Sequence, residues 1–198
     1  MIDDSEDKSE RVSIPSDFFS TETGKPFTHC KSCERNLLNA DVHYVVEKAI
    51  TSNKKYNTTD TIFEYALCYS CYQTTLKSMS DTSIRNIQNY FIEHGERIQQ
   101  RIMDFLQGKA KVNDLIDFCA IKGTARKDLT EYQIACHCIG ENINSAYPPL
   151  MIGYEAMDEM MGLLSDKTLG EIDRFYNDII DIPPEFRDIL IDRPVFIL

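Results

Sequence analysis

The sequence lacks any apolar run near the roughly 20 residues that a helix needs to span a bilayer, so it predicts no transmembrane helix. Its start, MIDDSEDKSE, lacks the basic and then apolar segments of a secretory signal. Positive charge is scarce as well, because 21 Lys and Arg face 32 Asp and Glu, for a net charge of −11. This balance opposes attraction to phosphate backbones and anionic lipids. We therefore expect an acidic cytoplasmic protein with neither a membrane nor a nucleic acid as its partner.

Recognisable catalytic motifs are absent too. The sequence contains no phosphate-cradling glycine loop, no nucleophile–base pattern and no paired-carboxylate motif. Its many acidic residues are typical of a solvated surface. We therefore predict no catalytic residues and no residues that bind an organic cofactor.

Cysteines are the most informative residues that are present. There are seven, and both the odd number and the reducing cytosol argue against a disulfide framework. Four of them form two CxxC pairs on either side of residues 34–67: Cys30 with Cys33, and Cys68 with Cys71. Two such pairs complete the tetrahedral sulfur shell that structural Zn²⁺ prefers. We predict a structural zinc site at these four residues, although iron can occupy the same shell.

Two alternatives to a structural zinc site remain open from the sequence. CxxC also occurs in thiol exchangers, so the chain could be a redox protein or an enzyme that uses these cysteines. It could also be a nucleic-acid-binding zinc module, although its charge argues against this. We favour a non-enzymatic interaction protein, because two pairs suit a metal better and a metal replaces the core that small modules lack. Its protein partner is not identified by the sequence.

The segment between the two pairs is predicted to form a β-hairpin. DVHYVVEKAI and TIFEYAL are rich in β-branched and aromatic residues, and the polar TSNKKYNTTD separates them. After Cys71, the spacing of Tyr72, Leu76 and Met79 is helical. A cysteine pair on a turn, a hairpin and a second pair opening a helix describe a treble-clef-like zinc module, with a zinc ribbon as the near alternative. The predicted fold class is α+β.

The second half of the chain is predicted to repeat this module. A shift of 85 residues lays CYSCYQTTLKSMSDTSIRNI, from Cys68, over GYEAMDEMMGLLSDKTLGEI, from Gly153. Both copies contain a Ser-Asp helix start, at Ser80 and Ser165. Upstream, DFCAIKG takes the place of THCKSCE, and LTEYQIACHCIG supplies a strand. This pattern is typical of an internal duplication.

The second copy is predicted to be metal-free and to depend on its hydrophobic core. Three of its four ligand positions are not cysteine: Lys122, Gly153 and Ala156. Cys119, the one that remains, cannot hold zinc alone. The CHC motif at 136–138 leaves open a residual metal site as an alternative, to which Cys119 could contribute. However, alternation along a strand puts His137 on the opposite face from Cys136 and Cys138, so we favour two buried thiols.

These motifs resemble those of small uncharacterised bacterial proteins that carry a CxxC…EYAxCxxC module followed by a similar second half. The resemblance covers the chain from Phe27 to about Glu185, and the first-half motif is its specific part. It implies a zinc-binding protein and no particular activity. Those proteins often carry cysteine pairs in the second half as well, and this chain departs from them at the three substituted positions.

The two halves are predicted to be joined by a single long helix over residues 81–108. Its apolar stripe consists of Ile84, Ile87, Phe91, Ile98, Ile102 and Phe105. The stripe suits a helix packed on its own domain or the seam of a homodimer, and Gly95 allows a bend. The expected organisation is an acidic segment (1–26), the Cys₄ zinc module (27–80), the helix (81–108) and the degenerate repeat with a helical C-terminal part (109–198). The apolar end, RPVFIL, is expected to dock into the body.

Overall fold

The computed structural model describes residues 12–180 and confirms an α+β fold with a five-stranded antiparallel sheet. The predictions for the acidic start and for RPVFIL therefore lie outside the described residues. The strands are β1 (His43–Asn53), β2 (Thr58–Cys68), β3 (Glu131–Ile139), β4 (Asn142–Ile143) and β5 (Leu150–Gly153). The helices are α1 (Tyr69–Ser78), α2 (Asp81–Glu93), α3 (Gly95–Leu106), α4 (Val112–Ile116), α5 (Tyr154–Met161) and α6 (Asp166–Ile179), with short 3₁₀ helices at Ser16–Phe18 and Arg126–Asp128. None of the helices within 12–180 is both long and apolar enough to cross a membrane.

The sheet runs through both halves of the chain. Its strand order is β2-β1-β3-β4, and β5 also pairs with β3. The predicted hairpin is confirmed as β1 and β2, where Tyr44 lies opposite Cys68. The strand predicted in the second half is β3, and it pairs directly with β1, so that Val46 lies opposite Cys136. The halves therefore lie side by side in one sheet, not at the two ends of a connecting helix.

One hydrophobic core is shared by the two halves and by the segment before them. Phe18, from the segment predicted as a separate acidic N-terminal part, is fully buried in this core. The same segment pairs with the second half, where the Ile143 N–H donates to the Val12 carbonyl at 2.8 Å. Fully buried side chains come from all three parts: Phe18, Leu37, Tyr44, Leu67, Ile134, Met151, Ile152 and Met160.

The prediction of a single long helix over 81–108 is wrong, because the helix breaks at His94. Residue 94 has φ −106° and ψ 6°, and α2 ends before it while α3 begins at Gly95. The His94 Nδ1 lies 2.9 Å from the Tyr90 carbonyl oxygen, and the two rings are 4.4 Å apart. The Tyr90 carbonyl still accepts from the His94 N–H at 3.1 Å, so the helical bond at this point is kept. The break lies next to Gly95, the glycine at which the sequence allowed a bend.

The apolar stripe of this region packs mainly inward. Four of its six residues lie against the protein's own core: Ile87, Phe91, Ile98 and Phe105. This is the arrangement expected of helices that pack on their own domain. Other apolar side chains of α2 and α3 are exposed, notably Ile92 and Leu106. Self-association through this region remains a prediction.

A cluster of hydroxyl groups joins the starts of α2 and α6. Ser80 and Ser165 cap these helices, accepting from the Ser83 and Thr168 N–H groups at 3.1 and 3.4 Å. The two cap oxygens are 2.8 Å apart. The capping residues also donate across the pair, Ser80 N–H to Thr168 Oγ1 and Ser165 N–H to Ser83 Oγ, both at 2.9 Å. Some of the free backbone N–H groups at each helix start therefore donate to hydroxyl groups of the other helix start.

Removing either cap should destabilise the fold, and the two losses should not add. Ser80→Ala and Ser165→Ala are each expected to lower the free energy of unfolding by about 1 kcal/mol, because each deletes a cap and removes one partner from the shared hydroxyl cluster. The double variant should lose less than the sum by at least about 0.5 kcal/mol. Urea denaturation measures all three. Thr74→Ala, which removes an exposed helical hydroxyl that bonds only within α1, is the control and should change stability by less than about 0.5 kcal/mol. Additive losses would contradict the coupling.

Candidate metal centre

The first cysteine pair lies on a tight turn. The Cys30 N–H donates to the Arg35 carbonyl and the Glu34 N–H donates to the Cys30 carbonyl, both at 2.9 Å. Glu34 takes the left-handed conformation, with φ 58°, that closes the turn. Residues 31–36 are all exposed, so the turn has almost no apolar burial of its own. Its ordering must come from another interaction.

The second pair lies where β2 ends and α1 begins. Cys68 is the last residue of the strand, and Cys71 lies in the first turn of the helix. The Lys31 N–H donates to the Ala66 carbonyl at 2.9 Å, which fixes the first turn beside the end of β2. α1 itself has no buried residue. One face of the helix packs on the core through partly buried side chains, including Tyr72 and Leu76.

The four sulfur atoms predicted as ligands converge. The Sγ atoms of Cys30, Cys33, Cys68 and Cys71 all lie within 4.8 Å of one another, and all four thiols are free. Cys33 Sγ and Cys68 Sγ are 3.7 Å apart. A tetrahedron with Zn–S bonds of about 2.3 Å has edges of about 3.8 Å, so the sulfur atoms fit a single zinc-sized ion. The four cysteines are therefore close enough to bind a metal.

Electrostatics at the cluster favour one thiolate but not four. The Arg35 backbone N–H donates to Cys33 and, despite opposing desolvation, lowers the pKa of this thiol to about 7. Burial raises the pKa of Cys71 to about 12 and also raises that of Cys68. Four negative sulfur atoms at this separation repel one another, and a divalent cation is the ordinary way to ionise them together.

The four cysteines of the cluster differ in their exposure to solvent. Cys30 and Cys68 are buried, Cys71 is half-buried and Cys33 is exposed. Cys30 Sγ also accepts from the Cys68 N–H at 3.3 Å, the kind of amide contact that stabilises a metal-bound thiolate. His29, beside the first pair, is exposed and bonds with the Thr28 hydroxyl, so it lies outside the shell.

The remaining cysteines do not join a second cluster. Cys136 and Cys138 are buried side by side with their Sγ atoms 3.6 Å apart, and His137 faces the other side of the sheet, as predicted. Cys119 Sγ instead accepts from the N–H groups of Lys122 and Gly153 at 3.3 Å each. Among residues 12–180, only the first four cysteines form a group of three or more Cys, His, Asp or Glu that could hold a metal.

Comparison of the chain with protein families, curated proteins and solved structures finds no match among them. What the site can do therefore follows from its own residues.

Buried polar groups in the sheet were not predicted from the sequence. Glu47 is fully buried, and it accepts from the Tyr65 hydroxyl and, at 3.0 Å, from Gln133. On the other face of β1, Lys48 pairs with Glu64 at 2.9 Å. The adjacent charges in the middle of the apolar strand HYVVEKAIT were the available signal, because buried charges require partners.

Replacing Cys33 with serine tests the centre with little disturbance of packing, because this side chain is exposed. Cys33→Ser should reduce bound metal from one ion per chain to nearly none and lower the free energy of unfolding by at least about 3 kcal/mol, since three thiolates hold the ion poorly. Elemental analysis and urea denaturation measure the two effects. After chelation, wild type and variant should unfold alike. A variant that keeps its metal, or that loses as much stability without metal, would contradict this assignment.

Proposed function

We propose that the chain is a non-enzymatic protein-interaction protein whose N-terminal half is held by a structural zinc ion. The convergence of four thiols from two distant segments supports this most directly. Cys30, Cys33, Cys68 and Cys71 would hold the ion, which when bound supplies four metal–sulfur bonds. Four protein ligands complete a tetrahedral shell, and such closed shells are typical of structural zinc. The net charge of −11 favours a protein partner over a nucleic acid.

The order of elements around the cysteines supports a treble-clef-like module. A turn carries the first pair, the hairpin of β1 and β2 follows, and α1 begins directly after Cys68. The helix contributes Cys71 from its first turn, a position from which a side chain points back toward the helix start. A zinc ribbon has no such helix after its second pair, so we favour the treble clef.

A thiol-redox function is the second candidate, and one observation favours it. Cys33 is exposed and its pKa is lowered to about 7, mainly by the Arg35 N–H, which are properties of reactive cysteines. A thiolate bound to zinc is much less available to an oxidant or a disulfide. The two candidates therefore differ in how Cys33 reacts while the metal is bound.

Alkylation of the zinc-loaded protein separates these candidates. A structural site predicts no labelling of any cysteine by iodoacetamide at pH 7.5, because four thiols are metal-bound and Cys119, Cys136 and Cys138 are buried. Chelation should then expose Cys33 to labelling at least about tenfold faster than before, since its thiolate is released. Mass spectrometry of peptides locates the label. Selective labelling of Cys33 while stoichiometric zinc is retained would favour the redox function instead.

We also propose that the second half is a duplicated module that has lost its metal. Matching backbone contacts support this, because they recur at corresponding positions of the two halves. The Cys119 N–H donates to the Thr124 carbonyl and the Gly123 N–H to the Cys119 carbonyl, as Cys30 and Glu34 do in the first turn. Gly153 donates to Cys119 Sγ at 3.3 Å, as Cys68 does to Cys30 Sγ. The reciprocal contacts of Ser80 and Ser165, the two capping serines, also agree with a duplication.

Hydrophobic burial takes the place of the metal in this second module. α5 corresponds to α1, yet α1 has no buried residue while α5 buries Ala156, Met157, Met160 and Met161. Leu129 fills the space beside Gly153, where an added Cβ would lie 2.9 Å from its Cδ2 atom. Lys122 pairs with Glu159 instead of contributing a ligand. Packing and charge pairing by these residues stabilise the turn and helix of the second half. In the first half, the corresponding turn and helix would be held by four thiolates.

Restoring the missing ligands should therefore create a second metal site. The variant combines Lys122→Cys, Gly153→Cys and Ala156→Cys with Leu129→Ala, which clears the space for the new Cβ at position 153. We expect bound zinc to rise from one to two ions per chain by elemental analysis, because the ligand positions would then repeat those of the first module. Adding Cys119→Ser is the control and should return the value to one. A folded variant that still binds one ion would contradict the duplication.

A further inference from the structure

A cavity of about 720 Å³ lies at the end of the sheet where the β1–β2 hairpin turns. The hairpin lines one part of it, residues 117–127 of the second half line another, and Tyr132 of β3 lies between them in the sequence of pairing strands. The two halves are tied together here, because Lys54 Nζ donates to the Asp128 carbonyl at 2.5 Å. The volume of the cavity is in the range that small organic ligands occupy.

The lining of this cavity is more positive than the chain as a whole. Its charged side chains are three cations and one carboxylate: Lys54, Arg126, Lys127 and Asp117. Asp17, which is outside the lining, pairs with Arg126 at 2.7 Å, so two lysines against Asp117 leave a local excess of positive charge. The whole chain, by contrast, carries −11. A concave surface of one sign concentrates ligands of the opposite sign.

Arg126 is held in place and still has a donor to offer. Its Nε donates to the Tyr132 hydroxyl at 3.0 Å, and its Nη1 donates to Asp17. Among residues 12–180, Arg126 Nη2 has no hydrogen-bond partner, and the exposed Lys127 Nζ has neither a hydrogen bond nor an ion pair. A guanidinium that other contacts already fix loses little freedom when it donates to an oxyanion.

An exposed aromatic ring lies beside these cations. Phe118 lines the cavity, is 48% exposed and is not among the side chains that pack against the core. Its backbone is nevertheless fixed, because Phe118 forms a β-bridge with Ala125 and its carbonyl accepts from Arg101 Nη1 at 2.8 Å. A ring that the core does not use, on an ordered backbone, offers a stacking surface to a ligand.

We propose that this cavity binds a phosphate monoester of an aromatic group. The phosphate oxygens accept from Arg126 Nη2 and from the ammonium groups of Lys54 and Lys127, and the aromatic group packs against Phe118. A phosphate monoester fits better than a carboxylate, because it has three terminal oxygens for several cations and carries more charge at pH 7. The inference goes beyond the proposed function, since the cavity shares no residue with the four-thiol cluster. Side chains with neutral donors also line it: Ser52, Asn57 and Thr59.

The test titrates phenyl phosphate into the zinc-loaded full chain and follows the backbone amide resonances of Arg126 and Lys127 by NMR. These resonances should shift in a saturable way. The dissociation constant should be at least about fivefold lower than for benzyl alcohol, which lacks the charge, and for inorganic phosphate, which lacks the ring. Benzoate, which has both a ring and a smaller charge, should bind at least about threefold more weakly than phenyl phosphate.

Variants of exposed side chains place the ligand in the cavity. Lys127→Gln should weaken the binding of phenyl phosphate at least about threefold, because it removes a cation that pairs with no other group of the described chain. Lys167→Gln is the matched control, since it makes the same charge change at an exposed position of α6 outside the lining, and it should leave binding unchanged. Phe118→Ala should weaken phenyl phosphate about fivefold and leave the weaker binding of inorganic phosphate unchanged.

Each other outcome would overturn the proposal. An absence of saturable shifts, or equal binding of benzyl alcohol, would remove the anion site. Equal binding of inorganic phosphate would mean an adventitious ion only, and tighter binding of benzoate would assign the cavity to carboxylates. Equal weakening by Lys127→Gln and Lys167→Gln would show an effect of net charge without a defined site, and full binding by Phe118→Ala would remove the role of the ring.

Discussion

The convergence of four thiols on one point is the constraint on which the first half of the molecule depends. The turn of residues 31–36 is exposed, and helix α1 packs against the core only through partly buried residues such as Tyr72 and Leu76. The approach of Cys30 and Cys33 to Cys68 and Cys71 adds a second attachment for both. Because four ionised sulfur atoms repel one another, the arrangement is stable only when a cation neutralises them or when most of them remain protonated. A metal ion bound here would add stabilisation of the kind that a hydrophobic core supplies in larger units.

Under the proposed duplication, the second half holds the same backbone arrangement without such an ion. Its turn repeats the contacts of the first turn around Cys119, while α5 contributes methionines to the core. Met is well suited to filling space of irregular shape. The second half also supplies β3, which lies beside β1 in the middle of the sheet. The half that carries the four thiols therefore pairs with a half that has no comparable cluster among residues 12–180.

Features set by local pattern could be predicted from the sequence, whereas features set by contacts between the halves could not. Alternation and β-branching located β1, β2 and β3, and cysteine spacing located the ligands, because each signal lies within a short segment. The helix ends at His94, whose ring packs on Tyr90, a contact that periodicity does not reveal. The contact between Ser80 and Ser165 spans 85 residues, and only the register of the two helices brings their hydroxyl groups together. The stacking of Tyr69 and Tyr147 on His137 likewise joins residues that are distant in the sequence.

Helix α1 links the four-thiol cluster to the second half of the chain. Its first turn carries Cys71 toward the other thiols and stacks Tyr69 on His137 of β3. A metal ion held by the thiols would therefore restrict α1 at the same end at which the helix contacts the second half.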